Sequence, residues 1–113
     1  MKVIVNADDY GISESTTHEI QKAIERGLIS SSTIMANGRY LKESLSFVRE
    51  HPEISWGIHI NLTSFESLTK SPVLKKAGLI DGDGTFKKAS YFATHHFDRI
   101  ADGGGTMLCI KRL

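Results

Sequence analysis

"NADDYG", residues 6–11, sets two carboxylates side by side directly after the apolar run Val3-Ile4-Val5 and then turns on Gly11. Adjacent acids repel, and a chain separates them unless a cation or a proton is shared between them. The apolar run predicts a short buried strand over residues 2–5, with Asp8 and Asp9 just past its carboxyl end. A helix is expected over residues 13–26, where Ile20, Ala23 and Ile24 fall at helical spacing. Thr16 and Glu19 offer a capping box to a late helix start, and Gly27 is placed to stop it. A second strand is expected at 31–36. A second helix is expected at 40–50, with Leu41, Leu45 and Val48 on one face and Pro52 beyond its end, and a third strand at 54–62. Strands alternating with helices argue for parallel pairing, because parallel strands need crossovers and helices supply them. The expected fold class is α/β.

The third strand carries a two-sided pattern. Trp56, Ile58, Ile60 and Leu62 share one parity, while Gly57, His59 and Asn61 share the other. Successive side chains of a strand face opposite sides, so one face is apolar and the other small or polar. His59 alone reads as a hydrogen-bonded core histidine, and Asp8-Asp9 alone as turn or cap residues. In parallel α/β architecture, however, the carboxyl ends of all strands gather on one rim where ligands bind. A carboxylate and an imidazole on that rim suit a divalent metal, which also relieves the repulsion within the Asp pair.

Composition excludes several classes. The 113 residues carry 14 basic and 13 acidic side chains, a net charge of +1, which leaves no electrostatic footprint for nucleic acid or an anionic membrane. Cys109 is the only cysteine, so no internal disulfide forms, and a cytoplasmic location is the expectation. No apolar run approaches a membrane span. The length suits one domain over residues 1–113.

Three stretches in order, "VNADDYG", "SSSTIMANG" and "GIHINLT", resemble the YdjC-like carbohydrate deacetylases, which include chitooligosaccharide deacetylases. The resemblance implies a TIM-barrel-like (βα) fold and metal-assisted removal of the N-acetyl group from an acetylated amino sugar. It implies Asp9 and His59 as metal ligands and Asp8 as the general base, with magnesium or zinc as the cofactor. Asn37 and Gly38, after the second strand, either line the substrate pocket or form a turn, and Asn61, after His59, is expected on the substrate side of the rim. The family's further histidine-rich motif has no counterpart here. His95-His96 sits in "YFATHHFDRI", and the tail 101–113, "ADGGGTMLCIKRL", is atypical. A barrel takes at least ~200 residues, so the expectation is the N-terminal portion of the fold, with reduced or no activity by itself and open edges that favour a homodimer.

Two rivals belong to other classes. A receiver-like signalling domain would bind magnesium through its Asp pair, but it needs a phosphoacceptor Asp ending the third strand, where this chain has His59. A non-catalytic remnant would retain the fold and lose the chemistry. Elsewhere, "DGDG" at 81–84 reads as a hairpin turn rather than a calcium loop. Residues 64–76 read as a long polar loop, either a substrate lid or a simple connection. Trp56 reads as core, and His18 and His51 as solvated.

Overall fold

The structure, a computed structural model, describes residues 1–95; His96 and the tail 101–113 lie outside the described residues. Two compact units divide the chain, Met1–Asn61 and the residues from Leu62 onward. In the first unit, β1 (Asn6–Tyr10), β2 (Ser31–Met35) and β3 (Ser55–His59) form a parallel sheet in the order β1-β2-β3. The crossovers are α1 (Glu14–Glu25) and α2 (Leu41–Glu50). The α/β expectation is met.

β1 starts later than expected. It is not residues 2–5 but Asn6–Tyr10, so the two aspartates lie within the strand. A strand exists where it has ladder partners, and the first Cα partner that β2 offers is Ser31, opposite Asn6. Upstream, the Val5 carbonyl accepts from the Ser30 and Ser31 amides, while Val3 and Ile4 stay exposed.

Helix ends follow local chemistry. Extended Ser13 caps α1, its hydroxyl accepting from the Thr16 amide, so the cap is Ser13 and not the Thr16/Glu19 box. The Thr17 hydroxyl donates to the Ser13 carbonyl at 2.6 Å and accepts from the Gly11 amide at 3.1 Å, fastening the turn after β1 to the helix. At the other end Gly27 has φ +66°, its amide donates to the Ile24 carbonyl, and the Leu28 amide reaches back to Ala23. That paired closure is the Schellman stop the sequence foretold.

Tyr10, Ile20 and Ile24 form the buried core, joined by Ala7, Ile34, Phe47, Val48, Ile54 and Trp56. Both helices therefore cover one face of the sheet. Trp56 packs edge-on to Tyr10 at 5.0 Å and donates its indole N–H to the His51 carbonyl, so it lies partly buried against the core. The apolar parity of the third strand is covered only this far: Ile58 is 66% exposed, and Ile60, beyond the strand's end at His59, 79%. His18 lies against Tyr40 and His51 against Phe47.

The second unit has a small core of Leu79, Ile80 and Phe86. Residues 64–76 are not all loop, because they contain α3 (Pro72–Lys76), which starts with proline behind the Ser71 cap. Residues 81–84 form the expected turn between the paired Ile80 and Phe86, with Gly84 at φ +93° and Asp83 accepting from the Thr85 amide. Asp81 pairs with Lys87. α4 (Ala89–Thr94) follows, and His95 stacks on Tyr91 at 3.9 Å. Among the described residues no helix is long and apolar enough to cross a membrane.

Candidate active site

The polar face of the first unit is organised by an irregularity in β1. Ala7 is paired with Ser32 and Tyr10 with Ile34, so three steps along β1 match two along β2. That is a β-bulge, and it absorbs Asp8 and Asp9. Asp9 takes the left-handed conformation, φ +69°, which Asp tolerates better than most residues. A regular strand would send neighbouring side chains to opposite faces. Here both carboxylates reach the same cluster.

Asp8 Oδ1 accepts from the Thr33 hydroxyl at 2.7 Å and from the Asn6 amide at 2.8 Å. Asp9 Oδ1 lies 3.2 Å from His59 Nδ1, and Thr33 Oγ1 lies 3.3 Å from that same nitrogen. The Thr33 hydrogen bond, then that of Asn6, holds the Asp8 carboxyl below its usual range, with a smaller contribution from His59. Asp8 is therefore ionised at neutral pH.

Two loops close the rim behind this cluster. A Cβ at position 38 would lie 2.2 Å from the Gly11 carbonyl oxygen and 3.0 Å from that of Met35, so only glycine lets the loop after β2 approach the loop after β1 so closely. The Tyr40 amide donates to the Gly11 carbonyl at 2.9 Å and completes the contact. Just beyond β2 and β3, the Asn61 amide donates to Asn37 Oδ1 at 3.0 Å. The two asparagines named from the sequence are thus brought together.

The chemistry of the donor set suits a divalent cation. Asp9 and His59 supply one oxygen and one nitrogen 3.2 Å apart on side chains 42% and 31% exposed, a separation two ligands of one ion can share. No third Cys, His, Asp or Glu joins them in a metal-holding group among the described residues. His95 belongs to the second unit, where its ring hydrogen-bonds within α4.

Sequence reasoning did not find Thr33 or Asn6. Both lie in stretches that drew notice for their neighbours, and their meaning depends on cross-strand register. Thr33 shares its parity in β2 with Ser31, opposite Asn6, and that shared face is visible only once the register is known.

Residues 2–102 match the sequence profile of a family described as YdjC-like protein. A carbohydrate deacetylase from Brevibacillus brevis is 37% identical over 89 residues, covering 78% of this chain and 34% of the relative. A solved structure from Enterococcus faecalis, described as a cellobiose-phosphate cleavage protein, superposes with a TM-score of 0.64 at 29% identity, covering 80% of this chain and 35% of the other. The chain spans about a third of the length of these relatives.

Proposed function

The chain belongs to the YdjC-like protein family, and on that footing we propose that its polar rim is part of a metal-dependent site that removes N-acetyl groups from amino sugars, chitooligosaccharides being the first substrates to test. The observation that carries this reading is the bulge, which gathers Asp8, Asp9 and His59 around Thr33 instead of dividing the acids between two faces. Asp9 and His59 would hold magnesium or zinc. Bound there, the cation supplies Lewis-acid polarisation of the amide carbonyl and stabilises the charge that develops on its oxygen.

Asp8 takes the proton of the attacking water. It is ionised, anchored through one oxygen and solvent-accessible, as a general base requires. Asn37 and Asn61 sit beyond the strand ends with amide groups suited to sugar hydroxyls. The three parallel strands and their two crossover helices correspond, in this reading, to the opening of a TIM-barrel-like fold in which the strand ends form the mouth.

The test is calorimetric titration of this chain with zinc and with magnesium, beside an acetate-release assay on di-N-acetylchitobiose. Asp9→Asn and His59→Ala should each weaken metal binding at least as much as the ~10–100-fold that loss of a ligand's hydrogen-bonded partner costs, while Asp8→Asn spares it. In a catalytically competent YdjC-like protein, replacing the residue equivalent to Asp8 should cost ~10²–10⁴-fold in rate. Equal loss of metal in Asp8→Asn would make Asp8 a ligand and remove its role as base.

A further inference from the structure

Asp8 has two carboxylate oxygens, and the sheet occupies only one of them. Oδ1 receives both donors, Thr33 Oγ1 at 2.7 Å and Asn6 Nδ2 at 2.8 Å, which fills the two acceptor positions of that oxygen. The Asn6 amide is itself turned by Ser31, whose hydroxyl donates to Asn6 Oδ1 at 2.7 Å and so points the Asn6 NH₂ at Asp8. Ser31 is opposite Asn6 in the ladder, and Thr33 is the next residue of the same parity on β2. The result is a directed chain of donors running from β2 to Asp8.

We propose that Thr33 is a positioning residue for Asp8, committing Oδ1 to the sheet and leaving Oδ2 as the oxygen that exchanges protons. The inference deepens, and rests on, the reading of Asp8 as the base. Thr33 has one hydroxyl proton, and the carboxylate receives it at the shorter distance. His59 Nδ1 lies 3.3 Å from the same Oγ1. Asp8 and Asn6 are exposed, and hydrogen bonds shared with water contribute little net stability. Their value is in direction: a carboxylate free to rotate would present its basic oxygen to the substrate only part of the time.

The test is an NMR measurement on the whole chain of the three-bond couplings from the Asp8 backbone nitrogen and carbonyl to its Cγ, which report the χ1 rotamer. One rotamer is expected in the wild type and in Thr33→Ser, which keeps the hydroxyl. Thr33→Val keeps the shape and β-branching but not the donor, and should give averaged couplings. Ser31→Ala should give a smaller degree of averaging. A single rotamer in Thr33→Val, or full averaging in Thr33→Ser, would overturn the proposal. Averaging in the wild-type chain would do so before any variant is made, even if Thr33→Val fails to fold. The couplings need no turnover, so a fixed Asp8 rotamer here, beside an unchanged rate when the residue equivalent to Asp8 is replaced in a catalytically competent YdjC-like protein, would speak only against the reading of Asp8 as the base. Where turnover is measured, Thr33→Val should lower kcat by up to ~10²-fold with KM unchanged, the pattern of misplacement rather than lost binding.

Discussion

β3 keeps its alternation from Ser55 to His59, with five consecutive residues in register with β2, whereas β1 sets three steps against two and carries a left-handed residue in its middle. The regular strand delivers one side chain in two to the polar face, which is enough for a single imidazole. Delivering two adjacent carboxylates to that face needs an extra residue and a backbone turn, at a local cost in conformational energy. The surroundings of β1 absorb that cost through the Gly11–Gly38 backbone contact and the fully buried Tyr10.

The largest test of this contrast is Gly38→Ala. Its Cβ would meet backbone atoms, which cannot swing aside as a flexible side chain can, so the rim loops must separate. A loss of ~3 kcal/mol or more is expected in urea unfolding, at the upper end of overpacking effects. Unchanged stability would show that the loop contact does not support the bulge.

Tyr10→Phe comes next. The hydroxyl donates to the Ser44 carbonyl and accepts from the Gln21 amide, both at 2.9 Å, and its removal leaves both groups to find other partners. A cost of ~1–2 kcal/mol is expected by the same measurement. The same residue makes a pH prediction. Burial, the dominant influence, raises the Tyr10 pKa above its ordinary value of 10.0. The unfolded chain therefore loses this proton first as pH rises. The Tyr10 contribution is intact below about pH 10 and declines as pH climbs from there through the raised folded value. Thermal melts between pH 8 and 11 should show the decline, and Tyr10→Phe should remove that part of it.

Asp9 tests the bulge directly. Asp9→Gly should be more stable than Asp9→Ala by ~1 kcal/mol, because only glycine adopts φ +69° without cost. Equal stabilities would mean the backbone relaxes to a regular strand once the carboxylate is gone. The smallest effect belongs to the regular strand. A Cβ at Gly57 would touch only the Thr33 methyl at an ordinary 3.6 Å, so Gly57→Ala should stay within ~0.5 kcal/mol of wild type. A large loss there would show β3 to be as constrained as β1.

Legibility followed the range of the interaction. The order of elements, the end of α1 at Gly27, the turn at 81–84 and the parity that puts His59 opposite Trp56 were readable, because each depends on neighbours a few residues apart. Asp8, Asp9 and His59 could be picked out by residue type and place, and the structure brings them together. The start of β1 was misjudged because Val3 and Ile4 have the composition of a buried strand without the partner that makes one. Thr33 was missed because nothing in "SSSTIMANG" distinguishes a serine or threonine that faces an acid from one that faces water.

The sequence by itself determined the α/β alternation, the helix stops and the chemistry available at the strand ends, since periodicity, glycine conformation and side-chain type are properties of short stretches. Only the tertiary structure decided that β1 bulges, that both aspartates share one face, and that Thr33 and Asn6 hold Asp8. Those outcomes depend on the register between β1 and β2, two strands separated by the whole of α1, and a ladder's register exists only once both strands are in place.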